Sequence, residues 1–252
     1  MDDLAVVFLH GVAGSRATYS WLPASVAGHR VITPDFRGHG AAARTPGAYR
    51  IQDYVDDVLE VLRAEGPAVL VGHSLGGVAA WCAAQQVPEL VRGAFLEDPP
   101  LYRGEPEGHA GNTAIPQFRL LRSLVLEWQA EGVSEAEAAA RLAAEPDGQV
   151  QTPEALAARA YALLNLDPEV LDAVIDGSLL AGTDVVSPVD APVSVLAAGS
   201  NPAFAVEHEA RLAATHPRAQ VVRLEGAGHS IHDERAFRDE YFARVEAFVA
   251  SA

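Results

Sequence analysis

Residues 67–86 read PAVLVGHSLGGVAAWCAAQQ, and this stretch decides the fold. It opens with a short apolar run at 68–71, which predicts a buried strand, and it closes with an Ala-rich run typical of a helix. Between them, 72–76 fits G-x-S-x-G, the pattern of a serine on a sharp strand-to-helix turn. Such a turn strains the backbone, so its neighbours must be small, and Gly72 and Gly76 meet that need. The alternative is a structural glycine-rich turn with an incidental Ser74.

The composition restricts the class of protein. With 252 residues, 49% of them hydrophobic, the chain is long enough to bury a large core. The formal net charge of −16 argues against nucleic acid or an anionic membrane as a partner but says little about the substrate, which we expect to be a small molecule. The single cysteine, Cys82, allows no intrachain disulfide. The start lacks a signal-peptide pattern, and no apolar run approaches the ~20 residues that span a bilayer, so we expect a cytoplasmic protein.

Strands and helices alternate on both sides of the opening stretch. Further strands are predicted at 4–9, 30–34, 91–96, 192–197 and 220–224, and helices at 19–27, 51–65, 206–215 and 234–250. Buried-type strands that alternate with helices predict an α/β fold, with a mostly parallel sheet covered by helices on both faces.

The alternation stops between residues 101 and 185. This stretch holds no convincing strand, and helices are predicted at 116–131, 134–145, 152–166 and 168–180. We interpret it as a helical cap inserted over the carboxyl edge of the sheet, within a core domain formed by 1–100 and 186–252. A separate helical bundle is the alternative, but the return to strands and helices after residue 185 favours an insertion.

Four ordered motifs carry a family resemblance. They are Phe8-Leu9-His10-Gly11, Asp35-Phe36-Arg37-Gly38-His39-Gly40, Gly72-His73-Ser74-Leu75-Gly76-Gly77 and Gly226-Ala227-Gly228-His229. With them, the chain resembles the α/β-hydrolase fold superfamily along nearly its full length. The family usually has a hairpin before the first strand; only three residues precede Leu4 here, so about six strands are expected.

The resemblance implies a role for several residues. Ser74 would be the nucleophile and His229 the general base, and the backbone N–H groups of Val12 and Leu75 would form the oxyanion hole. The chemistry is consistent, because a serine hydroxyl attacks only when a neighbouring base takes its proton. His232 is a rival base, whereas His10, His39 and His73 are expected to shape turns or line the cleft. No metal and no cofactor are expected.

The acid departs from the common family pattern. Most relatives carry Asp in the turn after the penultimate strand, but here that turn, 198–204, holds no carboxylate and Asn201 stands about where Asp is expected. In zearalenone-type lactonases, which this placement resembles, the acid follows the strand just before the cap, and that position falls on Asp98. Glu97 is the alternative. We expect an oxygen of Asp98 within ~2.6–3.2 Å of a ring nitrogen of His229.

The nucleophile narrows the reaction. Serine at the elbow argues against dehalogenases and epoxide hydrolases, which use Asp there. The sequence therefore predicts a serine hydrolase that cleaves a carboxylic ester or lactone through an acyl-enzyme. A C–C bond hydrolase, a cofactor-free haloperoxidase-like enzyme and a non-enzymatic small-molecule receptor are the alternatives. Aromatic and aliphatic side chains of the cap are candidates to line the substrate pocket, although each could instead pack in the cap core: Phe118, Leu121, Leu124, Trp128 and Tyr161.

Overall fold

The computed structural model describes residues 4–22, 26 and 28–252. The helix predicted at 19–27 falls partly outside these residues. A 3₁₀ helix, Arg16–Tyr19, occupies the described chain just before it, with the Ser15 side chain accepting a hydrogen bond from the N–H of Ala17.

Six parallel strands form one sheet, as the sequence predicts. They are β1 (Ala5–Leu9), β2 (Arg30–Ile32), β3 (Ala68–His73), β4 (Val91–Glu97), β5 (Val193–Ala198) and β6 (Gln220–Leu224). Their order is β2-β1-β3-β4-β5-β6, and Leu9 lies opposite Gly72 where β1 pairs with β3. The chain moves outward from β1 to β2 and then returns to β3 on the other side of β1. Ligands of open parallel sheets bind at such a reversal, beyond the carboxyl ends of the strands.

The core lies on both faces of this sheet. In β1, Val6 and Phe8 pack on one face and Val7 and Leu9 on the other, as a period of two requires. Among the described residues, helices α1 (Ile51–Glu65), α2 (Leu75–Gln86), α9 (Val206–Thr215) and α10 (Arg238–Ser251) flank the sheet outside the long insertion. The apolar stripe read from the sequence of α1 is the face that it buries, from Ile51 to Leu62.

Residues 101–185, hereafter the helical segment, are fully described. They form helices and no strand of the sheet, apart from an isolated bridge between Gln151 and Glu234. After a 3₁₀ helix at Leu101–Gly104, the helices are α3 (Pro106–Ala110), α4 (Ile115–Glu131), α5 (Glu135–Ala144), α6 (Pro146–Val150), α7 (Pro153–Leu164) and α8 (Pro168–Ile175). The helix predicted at 168–180 is therefore shorter than expected, because the chain turns at Asp176, which caps α8.

Main-chain hydrogen bonds join the helical segment to loops of the sheet domain. The N–H of Asp167 donates to Gly38 O at 2.8 Å, and the N–H of Ile51 donates to Leu179 O at 2.6 Å. One continuous hydrophobic cluster contains buried residues of both the helical segment and the sheet domain, so the segment packs directly on the sheet domain. No helix in the described part of the chain combines the length and the apolar character needed to cross a membrane.

Candidate active site

Ser74 stands at the turn between β3 and α2 in strained backbone. Its φ of 51° and ψ of −113° are unusual for a residue with a side chain. A Cβ on Gly76 would lie 2.2 Å from the carbonyl oxygen of Leu9, and a Cβ on Gly72 would lie 2.3 Å from that of Gly76. The turn therefore needs glycine at both positions, as the sequence pattern predicts. The N–H of Ser74 donates to Glu97 O at 2.9 Å, which fixes the turn to β4.

His229 follows β6 and lies between Ser74 and Asp98. Its Nε2 is 3.0 Å from Ser74 Oγ, and its Nδ1 is 2.6 Å from Asp98 Oδ2. An ionised carboxylate only accepts hydrogen bonds, so Nδ1 must donate to Asp98. In the neutral ring Nε2 is then the acceptor, and it is oriented to take the hydroxyl proton of Ser74. The contact expected between Asp98 and His229 is present.

Asp98 lies directly after β4 and is fully buried. Its carboxylate accepts backbone N–H groups from Ala198 at 3.3 Å, Ala203 at 2.8 Å and Phe204 at 3.1 Å. Burial by itself would raise the pKa of this carboxyl, but the hydrogen bond and charge of His229, together with the N–H donors, hold it below its ordinary value. Asp98 is therefore a carboxylate at neutral pH.

The turn at 198–204, where the family resemblance leads us to expect the acid, has a different task here. Instead of supplying the acid, it supplies N–H groups that hold Asp98. Asn201, which stands where the acid was expected, adopts a φ of 49° and lines the pocket in front of Ser74. Asn tolerates this left-handed conformation better than most residues with a side chain.

Glu97, the alternative acid, contacts another histidine. Its carboxylate oxygens lie 2.7 and 2.9 Å from Nδ1 of His232, and one accepts the N–H of His232 at 3.0 Å. Both side chains are buried. Burial would lower the pKa of His232, but the charges of Glu97 and Asp233 outweigh burial and raise it to about 9. His232, the rival that the sequence leaves open, thus contacts Glu97, whereas His229 is the histidine whose ring nitrogen lies 3.0 Å from Ser74 Oγ.

Three other histidines surround the site as neutral groups. Burial lowers the pKa of His10 to about 4 and that of His39 to about 3, and it lowers the pKa of His73 well below the ordinary value. Nε2 of His10 accepts the N–H of Phe36 at 3.1 Å, and Nε2 of His73 lies 3.0 Å from His229 O. These contacts support the turns that carry Val12 and His229.

A pocket of about 180 Å³ opens in front of Ser74 and His229. Val12 and Leu75 line it together with Ser74. Leu75 is the first residue of α2, so its N–H has no acceptor within the helix and is available to a bound oxygen. Their assignment to an oxyanion hole stays a prediction.

The helical segment supplies the outer wall of the pocket, but through other residues than most of those predicted. Phe118 lines it. Leu121, Leu124, Trp128 and Tyr161 are not among the described residues that line it, which favours the alternative that they pack in the core. Trp128 is buried in the main hydrophobic cluster, and Leu121 and Leu124 pack against the same cluster.

Sequence reasoning missed the polar residues of the pocket. Arg103, His109, Asn112 and Thr113 line it together with Ser74. Arg103 is five residues beyond Asp98, on the chain that leaves the carboxyl edge of the sheet, and this closeness to the acid was the available signal. Among the described residues, no group of three or more His, Cys, Asp or Glu side chains is placed to hold a metal ion.

Comparison with known proteins identifies the family. Residues 6–244 match the model of the alpha/beta hydrolase family. The sn-1-specific diacylglycerol lipase ABHD11 of Mus musculus is 25% identical over 252 residues, which cover 98% of this chain and 81% of that protein. The 2-(acetamidomethylene)succinate hydrolase of Mesorhizobium japonicum is 35% identical over 96 residues, 37% of this chain and 34% of that enzyme.

A solved structure of an N-acyl homoserine lactone degrading enzyme superposes on the chain with a TM-score of 0.66. It is 25% identical, and the match covers 98% of this chain and 93% of that one. The family model extends from β1 into α10 and so includes every strand of the sheet, the serine turn and His229. The chain belongs to the alpha/beta hydrolase family.

Proposed function

We propose that this hydrolase is a serine enzyme that cleaves a carboxylic ester or a lactone through an acyl-enzyme on Ser74. One observation carries the proposal: His229 links Ser74 to Asp98 by two hydrogen bonds at the wall of a pocket. Its Nε2 is 3.0 Å from Ser74 Oγ, and its Nδ1 is 2.6 Å from Asp98 Oδ2. Serine, imidazole and carboxylate in this order are the groups that acyl transfer needs.

Each group has a step in the proposed reaction. Ser74 Oγ attacks the carbonyl carbon while Nε2 of His229 takes the hydroxyl proton, and Asp98 stabilises the imidazolium that forms. The oxyanion receives hydrogen bonds from the N–H groups of Val12 and Leu75, each typically worth ~3–4 kcal/mol. The tetrahedral intermediate then expels the alcohol oxygen, which takes the proton from His229. Water attacks the acyl-enzyme by the same route, releases the acid and restores Ser74.

The relatives are consistent with this reaction class. One is a diacylglycerol lipase and another is an N-acyl homoserine lactone degrading enzyme, and a diacylglycerol and such a lactone each contain a carboxylic ester bond. The small pocket indicates a substrate with a short acyl chain.

Acylation of Ser74 by a p-nitrophenyl ester tests the proposal. We expect a burst of p-nitrophenol and an acyl mass increment on the peptide that carries Ser74. Ser74→Ala should lose both and lower turnover by ~10⁴-fold or more, because the attacking oxygen is gone. Ser123→Ala, at an exposed serine on α4, is the matched control and should behave as the parent.

Two outcomes would contradict the proposal. Binding of the ester without acylation would favour the receptor. Cleavage of β-diketone-type substrates, with esters and lactones untouched, would favour the C–C bond hydrolase.

A further inference from the structure

Arg103 brings a positive charge to the pocket beside Ser74. It lies in the 3₁₀ helix Leu101–Gly104 and lines the pocket together with Ser74 and His229. Its Nη1 donates to the carbonyl oxygens of Gly108 at 3.3 Å and Gly111 at 3.1 Å. These bonds use one nitrogen of the guanidinium, so the side chain is held in place while Nε and Nη2 keep donors for a ligand.

No carboxylate neutralises Arg103 in the part of the chain that the structure describes. This is notable in a chain with 34 acidic and 18 basic residues, where carboxylates outnumber the basic side chains that they could pair with. Glu105, two residues away, is engaged by Arg211, with one of its oxygens 2.6 Å from Nη1. The acidic neighbour of Arg103 therefore already has its own cation.

The rest of the pocket wall favours a negative group beside an apolar chain. None of the described residues that line it is Asp or Glu. Asn112 accepts the N–H of Ala114 through Oδ1 at 3.1 Å, which leaves its NH₂ group as a donor, and His109 borders the same space. Most other lining residues are apolar, among them Leu75, Phe118 and Leu180.

We propose that the substrate carries a second, free carboxylate and that Arg103 binds it. This inference rests on the proposed function, since it names the substrate class of the same site. A guanidinium pairs with a carboxylate through two parallel N–H···O bonds, and a hydrogen bond between charged groups contributes ~1.5–3 kcal/mol. Salt screens surface charges that lie more than ~8 Å away. The electrostatic potential in this pocket therefore depends more on Arg103 than on the net charge of −16.

Two esters with the same acyl chain length test the proposal: monomethyl glutarate, which has a free carboxylate, and methyl pentanoate, which is neutral. We expect the parent to have the higher kcat/KM on monomethyl glutarate. Arg103→Gln should lower that value by ~10–100-fold, which is the loss of one charged hydrogen-bonding partner, and change methyl pentanoate hydrolysis by less than ~3-fold. Arg103→Lys should retain part of the preference, because it keeps the charge without the planar fork.

The controls separate this inference from the proposed function. Arg119→Gln, at an exposed arginine on α4 outside the pocket, should leave both rates unchanged. Methyl pentanoate hydrolysis reports whether Arg103→Gln keeps a folded site. The inference is overturned if the parent cleaves monomethyl glutarate no better than methyl pentanoate, or if Arg103→Gln lowers both rates equally. Failure of the proposed function appears differently, as absent acylation of Ser74 by the p-nitrophenyl ester.

Discussion

A carboxylate in the interior is stable only when its surroundings replace the water it has lost. For Asp98, hydrogen bonds from three backbone N–H groups and from His229 take the place of water. Its φ of 41° shows that the residue is also held in a left-handed conformation at the end of β4. This conformation turns the carboxylate toward His229, whereas Glu97, one residue earlier, points to His232.

Asp98→Asn should lower kcat by ~10⁴-fold, judged from the equivalent change in a serine protease. An amide can present its NH₂ group to Nδ1, and the ring then takes the tautomer in which Nε2 carries the proton and cannot accept that of Ser74. Asn201→Ala is the control and should change kcat far less, because Asn201 only borders the pocket. Steady-state kinetics on an activated ester measures both variants. A larger loss in Asn201→Ala than in Asp98→Asn would refute the assignment.

The buried pair of Glu97 and His232 should make stability depend on pH. The folded pKa of His232 is about 9, against an ordinary value of 6.5, so its contribution is fully present below pH 6.5 and is lost as pH rises through 9. Glu97→Gln removes the charge that holds the proton. We therefore expect the parent to exceed this variant in free energy of unfolding by a few kcal/mol more at pH 6 than at pH 10, at ~1.4 kcal/mol per pKa unit.

Urea unfolding at the two pH values measures this difference. Glu127→Gln removes the same charge from an exposed position on α4 and should show little effect at either pH. An equal loss of stability at pH 6 and pH 10 in Glu97→Gln would show that the pair contributes no proton-linked stability.

Residues tied to local backbone geometry could be predicted from the sequence. Gly72 and Gly76 mark the turn that presents Ser74, and the absence of a carboxylate in 198–204 led to Asp98. The choice between Glu97 and Asp98 was harder. Adjacent residues at a strand end face opposite ways, and the partner that decides between them, His229 or His232, lies more than 130 residues away. Sequence distance hides such contacts.

At the scale of the element, helix α4 shows what periodicity can and cannot tell. Phe118 and Trp128 lie about 80° apart around the helix axis, at 3.6 residues per turn, and ten residues apart along it, or ~15 Å at 1.5 Å per residue. Phe118, near the start, reaches the pocket, whereas Trp128, near the end, is buried among helices with the guanidinium of Arg141 5.8 Å from its ring. Periodicity identifies the face of a helix but not the part of it that meets a ligand.

Trp128→Ala and Phe118→Ala should therefore separate stability from substrate binding. Loss of the buried indole should lower the free energy of unfolding by ~3–5 kcal/mol, while the folded fraction keeps its KM. Phe118 is only half-buried, so its loss should cost less stability and should raise KM or change the acyl-chain preference. Thermal unfolding and ester kinetics on both variants measure the two effects. An altered KM in Trp128→Ala, with unchanged stability, would reverse the roles of these two side chains.

At the scale of the whole molecule, the parallel sheet brings Ser74, Asp98 and His229 to one edge. They follow β3, β4 and β6, whose carboxyl ends share that edge. The sheet was predictable because each strand is a short apolar run between turn signals. The short helices α3 and α6 and the docking of the helical segment were not, because they depend on contacts such as Asp167 with Gly38 that no local pattern records.

The hydrogen bonds to Asp98 determine how late in synthesis of the chain this site can form. The three N–H donors come 100 to 106 residues after Asp98, and His229 comes 131 residues after it. At ~5–20 residues per second on a ribosome, Asp98 waits on the order of 10 seconds for its first donor. Until β5 docks, a dry site would hold an unsatisfied charge, so we expect water to remain around Asp98. The nascent chain therefore contains Ser74 early but can complete the contacts among Ser74, His229 and Asp98 only when its last quarter is in place.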